Sequence, residues 1–110
     1  MNTLKHVLRA LGNCSVSELC AKDLMDQDFP SHSIVLSEKI GFLGATLDLS
    51  RLKILKLMMD IYANLTVHKY EIKLFHRSGV TDFVINMLEK TTLNAEILMG
   101  AIDTIDGLCQ

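Results

Sequence analysis

Catalytic and metal chemistry leaves characteristic spacings, so the histidines, cysteines and paired carboxylates of this 110-residue chain come first. The histidines are His6, His32, His68 and His76. No two of them stand three or four apart on one helix face, and none has a cysteine at a zinc-site spacing. They read as surface histidines, and no metal is expected. The cysteines are Cys14, Cys20 and Cys109. Three is an odd number in a chain that is not cysteine-dense, and Cys14 and Cys20, six apart, make a poor pair. Free buried thiols in a reducing compartment are expected. Asp103 and Asp106 share a helix face, but that arrangement is too common to imply general acid–base work. There is no phosphate-binding GxxxxGK[ST] loop, no GxGxxG, no GxSxG and no HExxH. The chain reads as a non-enzyme without a cofactor.

Charge and composition narrow the class further. Eleven Lys and Arg face thirteen Asp and Glu, a formal net charge of -2. That balance disfavours a general nucleic-acid or anionic-membrane surface. Apolar residues make up 49%, yet no apolar run approaches the roughly 20 residues of a membrane span. Lys5, His6 and Arg9 interrupt the N-terminal segment, which is therefore no signal peptide. An intracellular protein is expected, cytoplasmic, with the nucleus as the alternative. The sequons at Asn13 and Asn64 then stay unglycosylated.

Helices must position whatever this chain uses. Leu, Ile and Met are abundant, aromatics are 5%, and there is no Trp and one Pro; these are helix formers more than strand formers. Leu4, Val7, Leu8 and Leu11 mark a first helix ending at Gly12-Asn13. Ser17 caps a short second helix, and Pro30 or Ser31 opens a third after the break at Phe29. Asp48 or Ser50 begins the strongest helix, with Leu52, Leu55, Met58, Met59, Tyr62 and Leu65 in one stripe. A short helix from His68 to His76 ends at Ser78-Gly79. Thr81 or Asp82 caps a sixth, and after a loop at Thr91-Thr92, Asn94 opens the last. Met58, Met59, Met87 and Met99 read as core filler. Arg51, Lys53 and Lys56 read as a solvated face and its edges.

Self-comparison is the most specific signal. Leu8 to Val16 aligns with Met59 to Val67 at an offset of 51. In the last helix Ile102, Ile105 and Leu108 align with Met59, Tyr62 and Leu65 at an offset of 43. An all-helical period of about 40–47 residues is that of HEAT and armadillo arrays. The first interval carries about eight extra residues around Gly41 to Asp48. Tyr70 to Val80 resembles the first helix and Gly turn of an armadillo repeat, Phe83 to Leu88 its second helix, and Leu93 to Cys109 its third. Asp28 stands where Gly79 stands in the better repeat, and Gly107 replaces the motif Asn.

The resemblance to the armadillo family, with HEAT as the near alternative, implies an all-α, right-handed α-solenoid. Its units are a leading third helix over 1–16, a first repeat with an insertion over 17–67, and a second repeat over 68–110. In that family the motif Asn faces a concave groove and bonds an extended peptide. The resemblance carries this role to Asn13 and Asn64, with Arg9, Asp60 and Asp103 one turn earlier. The competing reading is that each Asn ends its helix and bonds local backbone. Asp60 and Asp103 would make the later groove mildly acidic, favouring a partner with basic residues. Leu4, Val7, Leu8, Ile102, Ile105 and Leu108 are the expected end-face stacking residues, either as a piece of a longer solenoid or in a homo-oligomer. The expected function is a non-catalytic protein-interaction module or scaffold. The alternatives are a self-associating structural domain and a compact bundle of the death-domain kind.

Overall fold

Turns with demanding backbone geometry cut the chain into helices. The computed structural model describes the backbone of residues 2–42, 48–68, 72–90 and 95–109, and the side chains of the same residues except 2, 72, 90, 95–98, 108 and 109. Among the described residues there are seven α-helices and no strand. They are α1 (Asn2–Cys14), α2 (Glu18–Asp26), α3 (Phe29–Ile40), α4 (Leu49–Val67), α5 (Ile72–Ser78), α6 (Val80–Lys90) and α7 (Ala95–Cys109).

Two turns correspond across the expected repeat. Asp28, between α2 and α3, sits in the left-handed region at φ 56°, and Gly79, between α5 and α6, at φ 92°. Glycine adopts positive φ freely, and Asp tolerates it because its short side chain bonds locally. Asp28 does so, its carboxylate accepting the Ser31 N–H at 3.4 Å. Asp28 thus makes the turn that Gly79 makes, although the residue type differs. Helix α3 begins directly at Phe29, with Pro30 in the first turn, where its missing N–H costs nothing. Asp48 is the cap of α4 and accepts the Arg51 N–H at 2.8 Å. That backbone hydrogen bond, helped by the Arg51 charge, holds the Asp48 carboxyl below its ordinary value.

Some expected boundaries move. Helix α6 starts at Val80, immediately after the turn, and the Gly79 carbonyl accepts the Phe83 N–H at 2.9 Å. Neither Thr81 nor Asp82 is therefore the cap. Helix α5 begins at Ile72 and reaches Ser78. Thr91, Thr92, Asn94 and much of the expected insertion before Asp48 lie outside the described residues.

Helix α4 lies between α1 and α7 and packs against both. Helix α3 packs on α5 and α6, α2 on α3 and α4, and α6 on α7. The buried arc of α4 is broader than one stripe: Ile54 and Ile61 are as fully buried as Leu55, Met58, Met59, Tyr62 and Leu65. Tyr62 anchors the layer beneath. Its ring meets Phe29 at 6.3 Å and Phe75 edge-on at 6.4 Å, and its hydroxyl donates to Ser33 Oγ at 2.6 Å. Ser33 Oγ donates in turn to the Pro30 carbonyl. Burial pushes the Tyr62 hydroxyl well above the usual phenol range, so it remains a donor.

The α4–α7 contact is made by small residues. Gly100, Ala101 and Thr104 are buried on α7, whereas Ile102 is 46% exposed. A Cβ added at Gly107 would lie 2.6 Å from Thr66 Cβ, a distance real Cβ atoms do not show. Gly107 therefore stands where the motif Asn was expected because α7 approaches α4 too closely for a side chain. A Cβ at Gly12 would meet Ile61 at 3.8 Å, ordinary van der Waals contact. Both glycines are helical, so alanine gains roughly 1 kcal/mol of propensity at each, while overpacking at Gly107 costs about 1–3 kcal/mol. Gly12→Ala is expected to raise the urea midpoint and Gly107→Ala to lower it. Equal shifts from the two variants would contradict this packing.

Candidate functional site

The C-terminal end of α1 cannot satisfy its own last carbonyls. The Ser15 N–H bonds Leu11 O at 2.8 Å, and Ser15 Oγ bonds Gly12 O at 2.8 Å. From α4, Asn64 Nδ2 donates to Gly12 O at 3.1 Å and to Ser15 Oγ at 3.0 Å. Asn64 thus ties α1 to α4, and both its amide hydrogens are used in doing so. It neither ends its own helix by a local bond nor offers a donor to a bound backbone. Only its carbonyl oxygen is left to face a ligand.

Beside this tie runs a cleft of about 550 Å³. Helix α1 contributes Arg9, Gly12 and Asn13, and the corner after it Val16. Helix α4 forms the floor with Lys56, Leu57, Asp60, Ala63 and Asn64, and α7 supplies Met99, Gly100 and Asp103. The five residues expected along a groove, Arg9, Asn13, Asp60, Asn64 and Asp103, therefore line one cleft. A second cavity of about 310 Å³ shares Ala63, Asn64 and Asp103 with it. That cavity continues past Thr66 and Val67 of α4 and Asp106 and Gly107 of α7. The two adjoin at these residues and together make up the trough.

Between α4 and α7 the lining is acidic on balance, with Asp60, Asp103 and Asp106 against Lys56. Lys56 Nζ stands 3.0 Å from Asp60 Oδ2, an i,i+4 pair with both side chains around 40% exposed. Such a pair contributes only about 0.3–0.5 kcal/mol, but it offsets the charge of Asp60. The main cleft holds two cations and two anions, Arg9 and Lys56 against Asp60 and Asp103, and is not net acidic. Arg51 is no free basic residue either: its guanidinium pairs with Asp48 at 2.8 Å, and its Nε donates to Ile40 O, closing the end of α3.

Several cleft residues follow the same four-residue spacing. Lys56 precedes Asp60 by four and Met99 precedes Asp103 by four, so both fall on the expected stripes. Met99 is 58% exposed and is not core filler, unlike Met58, Met59 and Met87, which are fully buried. Val16, 66% exposed, carried no such signal. The expected end-face residues divide. Leu8 is buried in the core and cannot be a stacking surface, because α4 already covers it. Leu4 and Ile105 are half-buried against the same core. Val7 and Ile102 are about half exposed, and the side chain of Leu108 lies outside the described residues.

Cys14 and Cys20 form a disulfide with a Cα–Cα distance of 5.8 Å. This overturns the expectation of free thiols at these positions. Six apart is a poor spacing within one helix, but α1 ends at Cys14 and the chain turns a corner before α2 begins at Glu18. The bond pins the corner that carries Val16. Among the described residues no group of three or more His, Cys, Asp or Glu is placed to hold a metal ion, and no helix is long and apolar enough to cross a membrane. Comparison with protein families, with curated proteins and with solved structures finds no match for this chain, so the functional argument rests on the cleft itself.

Two stability effects are expected around it. Replacing Cys14 and Cys20 together by serine removes a short loop closure, which costs about 2 kcal/mol. The urea midpoint should fall and become insensitive to reductant; a wild-type midpoint already insensitive to reductant would refute the link. Asn64→Ala leaves Gly12 O and Ser15 short of a partner and costs about 1–3 kcal/mol. Hydrogen exchange should locate the loosening at the end of α1, and protection unchanged there would exclude the tie.

Proposed function

We propose that this chain is a non-catalytic protein-interaction module, an α-solenoid of armadillo type, that takes an extended partner segment in the trough of α1, α4 and α7. The observation that carries the reading is the convergence of Arg9, Asn13, Asp60, Asn64 and Asp103, the positions that the armadillo resemblance implies, on one open cleft. Two further features support it. The three helices expected to be third helices lie side by side with α4 in the middle. The matching turns at Asp28 and Gly79 both take positive φ, as one repeated unit requires.

The binding surface is mixed. Leu57, Met99 and Val16 supply apolar contact, charges flank them, and Asn13 is exposed at the rim. A cleft with apolar walls and a few polar groups suits side-chain recognition more than catalysis. The disulfide bears on location. Such bonds persist in oxidising compartments, so the intracellular reading requires that Cys14 and Cys20 be reduced in the cell. Self-association is the second reading; exposed Val7 and Ile102, on the two outer helices of the row, are the observation behind it.

Selection of displayed random peptides on the folded protein tests the groove. Val16→Glu with Met99→Glu alters only exposed side chains and should leave the unfolding midpoint nearly unchanged. Selected peptides are expected to lose about tenfold or more in affinity for it, the scale of losing about 1.4 kcal/mol of apolar contact. Leu19→Glu with Ile85→Glu, exposed elsewhere, should change nothing. If the second pair abolishes binding and the first does not, the partner docks elsewhere.

A further inference from the structure

The trough has a built-in polarity. Arg9 on α1 and Asp103 on α7 are exposed on opposite walls, and among the described residues neither takes part in an ion pair. The charges between them, Lys56 and Asp60 on the floor, already neutralise one another. A ligand crossing the floor therefore meets an uncompensated cation at one end and an uncompensated anion at the other. The apolar contact between them comes from Leu57 and Met99.

We propose, building on the groove reading above, that the trough selects an extended peptide segment carrying an acidic side chain for Arg9 and a basic side chain for Asp103. The two stand at most about five or six residues apart with apolar residues between. The spacing follows from helix geometry. Packed helix axes lie about 8–10 Å apart, so the axes of α1 and α7, on either side of α4, stand at most roughly 16–20 Å apart. An extended chain advances about 3.3 Å per residue. A uniformly basic segment suits Asp103 and is repelled at Arg9; a uniformly acidic one has the reverse fault. Like-charge contacts of this kind discriminate between partners more than they change overall affinity.

End-blocked hexapeptides titrated into the isotope-labelled protein and followed by NMR shifts test this. The probes carry Ala and Leu in the middle and at their ends either Glu and Lys, in both orders, or Glu and Glu, or Lys and Lys. One mixed order should bind about tenfold tighter than either like-charged probe, and high salt should erase the preference. Arg9→Glu should reverse the ranking in favour of the Lys–Lys probe, and Asp103→Lys in favour of the Glu–Glu probe. Both variants lie at exposed positions. If all probes bind equally well and Val16→Glu with Met99→Glu weakens them all, the groove stands and the polarity is overturned. If no probe shifts the α1, α4 and α7 resonances, the groove reading falls and the polarity with it.

Discussion

The molecule depends on how helix α4 is covered. Its nineteen residues put Ile61, Ile54, Leu65, Met58, Tyr62, Leu55, Thr66 and Met59 on one continuous buried arc. At 100° per residue that arc spans nearly half the helix, more than one neighbouring helix can cover. Ile61 lies against α1, Met59 and Thr66 against α7, and Tyr62 faces the layer of α3 and α5. What is left of the circumference holds Lys53, Lys56, Leu57, Asp60, Asn64 and Val67. Among the described residues, the floor of the trough is thus a side of α4 that α1 and α7 flank but do not cover. Fold and cleft are two consequences of the same packing.

The walls are set by how closely the flanking helices approach. Gly100 meets Met59 and Gly107 meets Thr66 with no side chain between, and Thr104 folds its hydroxyl back onto the Gly100 carbonyl at 2.8 Å. On the other side Gly12 lies over Ile61, and Asn64 fastens the end of α1. Small residues and a cross-helix amide hold α1 and α7 near enough for Arg9 and Asp103 to border one cavity. Larger residues at those contacts would part the walls and expose the floor as an ordinary wet helix face. The side chains of α4 do similar work at its N-terminal end, where Arg51 closes α3 at Ile40.

Periodicity made much of this legible. Apolar spacing marked seven helices, and the offset of 51 placed Asp28 and Gly79 in equivalent turns before any backbone angle was known. The spacing of four paired Arg9 with Asn13 and Asp60 with Asn64, and the armadillo resemblance set these pairs and Asp103 along one groove. Three things stayed hidden because they depend on distances between helices rather than along them. Small residues on α7 look like gaps in an apolar stripe until their closeness to α4 is seen. Cys14 and Cys20 look mismatched until the corner folds them together. Asn64 looks like a ligand-facing amide until Gly12 and Ser15 are found beneath it.

Asn64 also bears on how the proposed groove would divide structure from recognition. A side chain whose two donors are fixed in a helix–helix tie cannot adapt to a bound chain without releasing α1. Asp60, held by Lys56, is similarly engaged, though more weakly. On the proposed reading, the tie at Asn64 leaves most of the discrimination to the walls. Arg9, Asn13 and Asp103 are exposed there and able to reorient at little cost, with Val16 held at the edge by the Cys14–Cys20 corner. On the same reading, a segment settling there orders mainly Arg9, Asn13 and Asp103, and the groups already tied by Asn64 add little further entropy loss.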